Sequence, residues 1–156
     1  TKTTMKELKI LLSNEKNTLD LGENISAHLA EGFLIFLKGD LGAGKTTLAR
    51  GLIKGLGYVG SVKSPTYSLI EQYEFNAFTL NHFDLYRFTN PNEWFSSGFQ
   101  EYINSYDVTL IEWPEKSAEL LPKPDLEIEL AYKNESRIAY INSFTEKGYK
   151  CLENLS

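Results

Sequence analysis

Residues 39–47 read Gly39-Asp40-Leu41-Gly42-Ala43-Gly44-Lys45-Thr46-Thr47, a glycine, four residues, then Gly-Lys-Thr. Each type in that spacing has a task in holding a polyphosphate. The glycines let successive backbone N–H groups turn toward one point and form an anion nest. Lys45 can reach the β- and γ-phosphates as a point charge, and Thr46 can offer its hydroxyl to Mg²⁺. A helix opening near Thr46 adds the positive end of its dipole. The expected nucleotide cradle is Asp40, Leu41, Gly42, Ala43, Gly44, Lys45, Thr46 and Thr47.

A phosphate loop also needs an acid for Mg²⁺, usually at the carboxyl end of a buried strand beside the loop strand. Two residues qualify. Glu112 follows the apolar run Val108-Thr109-Leu110-Ile111, and Asp84 follows the more mixed Leu80-Asn81-His82-Phe83. One would hold Mg²⁺, directly or through water, and the other would orient the attacking water. The sequence leaves the division between them open. Lys45, Asp84 and Glu112 are therefore the expected catalytic residues, and Thr46 with one of the two acids the expected metal holders.

Thr66 sits in the Pro-containing loop after the first helix, where a hydroxyl can sense the γ-phosphate. It reads equally well as a turn threonine bonded to its own backbone. Trp113, next to Glu112, could pack near the nucleotide or fill the core or rim. His82 lacks the partners of a metal site and reads as structural, or as support for a neighbouring site residue.

Arginine is scarce: only Arg50, Arg87 and Arg137 occur. Phosphoryl-transfer enzymes use arginine to stabilise transition-state charge, and a supplied finger is worth ~10³–10⁵ in rate. A small-molecule kinase would need a lid carrying arginines and an acceptor pocket, and no segment offers them. Slow intrinsic hydrolysis that depends on a partner is the expectation.

The elements that must position these groups follow from apolar spacing. Met5 to Leu12 alternates as a strand, with Leu8, Ile10 and Leu12 on one face, and Ser13 to Asn17 is a polar turn. Leu21, Ile25 and Leu29 mark a helix ending before Gly32. Phe33 to Leu37 is an unbroken apolar strand, and Leu48, Leu52, Ile53 and Leu56 recur at helical spacing after the loop. Gly51 and Gly55 weaken that helix intrinsically, which implies close packing against a neighbour. Residues 67–83 read as a hairpin, Pro91 to Tyr106 as mostly helical, and Val108 to Ile111 as a short buried strand. Pro114 can start a short helix to Leu121. Leu126 to Tyr132 and Arg137 to Phe144 alternate around residues 133–136 as an antiparallel hairpin. Strand, loop and helix in this order, flanked by hairpins, predict an α/β three-layer sandwich of the P-loop NTPase type. Its central sheet is parallel, with antiparallel strands added at the flanks.

The 156 residues suit one domain, residues 1–156, and no linker divides them. The net charge of −5 argues against autonomous binding to nucleic acid. The lone Cys151 excludes an internal disulfide framework, and no cysteine cluster suggests zinc. No apolar stretch approaches the ~20 residues of a membrane span, and residues 1–9 lack a signal-peptide core. A cytoplasmic protein without membrane contact is expected.

Four ordered segments together resemble the TsaE (YjeE) family of bacterial P-loop ATPases: Gly39 to Thr47, Ser64-Pro65-Thr66-Tyr67, His82-Phe83-Asp84-Leu85-Tyr86-Arg87 and Ile111-Glu112-Trp113-Pro114-Glu115. The similarity runs over about residues 18–122. It implies an ATP- and Mg²⁺-binding protein, weakly hydrolytic alone, needed for N6-threonylcarbamoyladenosine at tRNA position 37. The implied partners are the TsaB and TsaD proteins, with tRNA met indirectly through their complex. The resemblance assigns Lys45 and Thr46 to phosphate and Mg²⁺, Glu112 to Mg²⁺, Asp84 to hydrolysis, Thr66 to the γ-phosphate loop and Trp113 to the nucleotide's side. A small-molecule kinase and a non-hydrolysing nucleotide-gated adaptor remain as alternatives. A GTP switch is disfavoured by the absence of a guanine-reading Asn-Lys-x-Asp segment.

Overall fold

A computed structural model describes residues 4–155. The elements run β1 (Lys6–Leu12), α1 (Glu15–Ser26), β2 (Leu34–Gly39), α2 (Lys45–Gly55), β3 (Ile70–Glu74), β4 (Thr79–Asp84), α3 (Glu93–Ser96), β5 (Val108–Glu112), β6 (Leu126–Lys133), β7 (Ser136–Ser143) and α4 (Glu146–Glu153). Short 3-10 turns cover Phe99–Tyr102, Pro114–Lys116 and Ala118–Leu120.

All seven strands form one sheet in the order β1-β7-β6-β2-β5-β4-β3. The four central strands, β6, β2, β5 and β4, are parallel, and the pairs β1–β7, β6–β7 and β3–β4 are antiparallel. A parallel centre must be covered on both faces, and β2 shows it. Ile35 and Leu37 enter one core with Leu48, Leu52 and Ile53 of α2, while Leu34 and Phe36 enter a second core with Trp94, Phe99 and Ile111. Helices α1 and α2 and the apolar side of α4 pack on the first face, and the segment around α3 on the second.

The glycines of the first two helices bring their backbones together. A Cβ on Gly51 would lie 2.9 Å from Leu19 Cα, and one on Gly22 would lie 2.7 Å from Leu52 N. Neither neighbour is a side chain that can turn away. Gly51→Val should therefore destabilise the protein by about 3 kcal/mol, the upper end for overpacking, as read by urea unfolding. Loss below about 0.5 kcal/mol would contradict this packing.

Several expectations fail at element ends. The supposed polar turn at 13–17 already contains the start of α1. Asn14 is its N-cap, accepting the Asn17 N–H at 2.9 Å. Residues 91–106 are not one helix. Gly98 takes φ 75° and separates the four-residue α3 from a 3-10 turn, so Trp94, Phe99 and Tyr102 can all edge onto Phe83. The stretch from Pro114 to Leu121 is two 3-10 turns. Helix α4 was not anticipated. Thr145 caps it by accepting the Gly148 N–H and donates its hydroxyl to the buried Asp125, whose other oxygen accepts the Leu34 N–H at 2.8 Å. No helix among the described residues is long and apolar enough to cross a membrane.

Candidate phosphate-binding site

Strand register brings the two acids together. Asp84 and Glu112 are paired residues at the ends of β4 and β5, and His82 pairs with Leu110 two positions earlier. Alternation sends His82, Asp84 and Glu112 to the same face as Leu80 and Leu110, the face that carries α2.

The loop between β2 and α2 needs two left-handed residues, and both are glycine: Gly42 at φ 79° and Gly44 at φ 109°. Gly44 is the N-cap of α2, with no side-chain cap on the helix's first N–H groups. Those donors have no carbonyl behind them and stay available to an anion. Lys45, only 5% exposed, folds back to donate to the carbonyls of Gly39 (2.5 Å) and Asp40 (3.0 Å). Its Nζ also lies 4.4 Å from the centre of the Trp113 ring. Burial holds the Lys45 ammonium below the ordinary lysine range, opposed by Glu112, Asp84, Glu115 and Asp40.

A cleft of about 220 Å³ lies between this loop and the strand ends. Its walls join Leu41, Gly42, Gly44 and Lys45 to Thr47 with Thr66, Asp84, Glu112 and Trp113. Two expected cradle residues are not on that wall. Asp40 is exposed and contributes a carbonyl to Lys45, and Ala43 is buried in the core with its N–H donated to the Asp40 carbonyl at 3.1 Å.

Asp84 is fixed from two sides. Oδ1 accepts the Tyr86 N–H at 2.9 Å, and Oδ2 accepts the Thr66 hydroxyl at 3.4 Å. Burial is the main cause that pushes its carboxyl above the usual range; the Tyr86 N–H works against it and Glu112 adds to it. Glu112 Oε2 and His82 Nε2 share a hydrogen bond of 2.6 Å. Trp113 takes a left-handed φ of 58°, which turns its ring toward Lys45 and against Tyr86.

The donor set fits Mg²⁺. That ion prefers hard oxygen ligands, and one or two carboxylates with substrate phosphates suffice. Thr46 and Glu112 line one cleft, while no cluster of three or more His, Cys, Asp or Glu for a self-sufficient metal cage occurs among the described residues.

A second cleft of about 200 Å³ lies on the other side of the loop and shares Gly42, Gly44 and Thr47 with the first. Ala43 also lines it, and the rest of its wall includes Leu12, Asn14, Thr18, Glu135 and Arg137. Sequence reasoning missed these residues as a site. They meet because Leu12 of β1 pairs with Arg137 of β7, a contact no local spacing announces. Arg137 stacks on Tyr132 at 4.1 Å, and the Tyr132 hydroxyl donates to the Leu41 carbonyl at 3.1 Å. The C-terminal hairpin therefore braces the phosphate loop from behind.

Comparisons with known proteins identify the family to which this fold belongs. The family described as "Threonylcarbamoyl adenosine biosynthesis protein TsaE" matches residues 12–139. A tRNA threonylcarbamoyladenosine biosynthesis protein TsaE of Haemophilus influenzae is 38% identical over 138 residues, covering 85% of this chain and 87% of its own length. The protein of the same description from Bacillus subtilis is 37% identical over 124 residues, covering 80% and 77%. The crystal structure of Bacillus subtilis YdiB superposes with a TM-score of 0.84 at 28% identity, covering 99% of this chain and 97% of that one.

Proposed function

This chain belongs to the TsaE family, and we propose that it is an ATPase whose turnover serves N6-threonylcarbamoyladenosine formation on tRNA, in a complex with TsaB and TsaD. The observation that carries the ATPase reading is the single cleft in which the N-terminus of α2, Lys45, Thr46, Asp84 and Glu112 converge. The first-turn N–H groups and Lys45 bind the β- and γ-phosphates. Thr46 and Glu112 hold Mg²⁺, which when bound neutralises charge on those phosphates. Asp84, with a carboxyl raised by burial, takes the role of orienting the attacking water and drawing on its proton. Thr66, hydrogen-bonded to Asp84, reports the γ-phosphate to the loop that carries it. The second cleft, bounded by Asn14 and Arg137, has the place and size for the nucleoside end of the ligand.

The arginines support dependence on partners. Arg50 lies 3.8 Å from Glu15, Arg87 stacks on Tyr67 at 5.0 Å, and Arg137 stacks on Tyr132. Among the described residues Lys45 is the one cation on the wall of the first cleft, and a second cation that efficient phosphoryl transfer employs would come from a partner. The same shortage disfavours a small-molecule kinase.

The test is ATP hydrolysis by the purified chain, alone and with TsaB plus TsaD. A slow rate alone that rises with both partners is expected. Partners that neither bind nor alter the rate would remove the complex from the reading, and a fast rate alone would remove the dependence on it.

A further inference from the structure

We propose that His82 is a positioning residue for Glu112, holding one carboxylate oxygen so that the other is kept for the cleft shared with Thr46. The proposal rests on the reading of Glu112 as a Mg²⁺ holder.

His82 has no exposed surface and Glu112 is 2% exposed, yet their side chains approach to 2.6 Å. The other ring nitrogen, Nδ1, is buried with no hydrogen-bond partner, the one such side-chain atom among the described residues. That orphan selects the tautomer. A proton on Nδ1 would strand a buried donor, whereas a bare lone pair there is the cheaper vacancy. The hydrogen therefore sits on Nε2 and is donated to Glu112 Oε2.

Position 82 has no need of a polar residue for packing. It lies in a central strand opposite Leu110, and the two-residue period that sends Leu80 to the helix-covered core sends His82 there as well. An aliphatic side chain would fill that place without an orphaned nitrogen. Among the described residues, the imidazole's one hydrogen-bond partner is Glu112.

The need for a tether is visible next door. Lys45 faces Glu112 closely enough to be favoured by its charge, but donates to the Gly39 and Asp40 carbonyls instead. A carboxylate free to swing would pair with that ammonium and withdraw both the phosphate-binding cation and the metal-holding oxygen. The hydrogen bond from β4 prevents it. Since His82 and Asp84 are two residues apart on one strand, a single segment both restrains Glu112 and presents the second acid beside it.

The experiment is titration of the full chain with a non-hydrolysable ATP analogue, in Mg²⁺ and in EDTA, for the wild type, His82→Leu and His82→Gln. The readout is the ratio of the two affinities. Leucine should keep the EDTA affinity within about threefold and lower the Mg²⁺-dependent gain about 10–100-fold, the usual loss when a ligand's hydrogen-bonding support is removed. Glutamine, whose amide N–H can reach the same point, should restore the gain to within about tenfold of the wild type. A His82→Leu protein with an undiminished gain, or with both affinities falling together, would overturn the positioning role. A wild type with no Mg²⁺-dependent gain would instead remove the reading of Glu112. Histidine ¹⁵N spectra of the wild type provide a measurement independent of variant folding. They should show Nε2 protonated, Nδ1 bare, and an Nε2–H resonance that moves in Glu112→Gln. A bare Nε2 would overturn the proposal.

Discussion

Lys45→Ala is expected to weaken ATP binding about 100-fold or more while leaving folding stability within about 1 kcal/mol of the wild type. The ammonium is nearly buried, and its acceptors are two backbone carbonyls of the loop itself. Phosphate oxygens are charged and stronger acceptors than carbonyls. A nucleotide therefore replaces a weaker internal arrangement, and the side chain travels only from one side of the loop to the other. A hydrogen bond to a charged group contributes about 1.5–3 kcal/mol, and contact with two phosphates doubles it. That is the origin of the 100-fold figure. Stability behaves differently. Burial lowers the folded-state pKa of Lys45, so the folded state binds this proton less tightly than the unfolded chain does. The resulting penalty is fully present below the folded pKa and disappears as pH rises through the ordinary lysine range. Alanine removes that penalty at neutral pH and also the two carbonyl hydrogen bonds, and the two effects oppose. Calorimetric titration with ATP and a thermal melt measure both. An affinity loss below about threefold would show that the loop backbone alone carries the phosphates.

The parts of this site that were legible in the sequence are those whose chemistry is local. Gly42, Gly44, Lys45 and Thr46 lie within five residues, and a strand-end acid is visible wherever an apolar run stops at Asp or Glu. Sequence could not show that Asp84 and Glu112 are register partners, because pairing of β4 with β5 crosses the whole α3 segment. It also could not find the second cleft, whose walls are joined by the β1–β7 pair across more than 120 residues of chain. Ala43, read into the cradle as part of the motif, lines the second cleft and not the first. The structure commits its N–H to the Asp40 carbonyl and its side chain to the core.

The fold shows the same division. Strands and the two long helices were readable because burial of one or both faces imposes a period. The glycines of α2 were readable as close-packing positions because nothing else explains them in a helix interior. The segment from Pro91 to Tyr106 misled because Trp94, Phe95, Phe99, Tyr102 and Ile103 fall near helical spacing. Their arrangement is set instead by a tertiary partner, Phe83, around which three rings gather. Helix α4 escaped because it is eight residues long with three buried positions, one of them a glycine. Its anchor, Asp125, looks like an ordinary loop acid until Thr145 and Leu34 are brought to it.

Asp84→Asn is expected to lower hydrolysis about 100-fold, keep ATP affinity within about threefold, and raise folding stability at neutral pH. Asparagine keeps Oδ1 as the acceptor for the Tyr86 N–H, and its amide NH2 can donate to the Thr66 hydroxyl oxygen in place of accepting from it, so the loop after α2 stays tied to β4. What it removes is the basic oxygen, and general base catalysis is worth about 10²–10⁴ in rate. The stability change has a definite sign. Burial raises the Asp84 pKa above that of an exposed carboxyl, so in the window between the two the folded state holds a proton that the unfolded chain has released. The wild type then loses stability as pH rises through that window, and the full penalty of the buried charge remains above it. The variant has no such slope. Its advantage should be small at acid pH and grow to a plateau above the raised pKa, which melting curves across pH would show. Hydrolysis measured with the partner proteins present supplies the other half. Equal losses of binding and turnover would mean that Asp84 holds the nucleotide or its metal, and would transfer the water-orienting role away from it. A less stable variant at neutral pH would mean that the Thr66 tie depends on charge. The opposite movements of stability and rate are what a buried acid kept for chemistry should produce, since a residue selected for the fold alone would not be an ionisable group opposite Glu112.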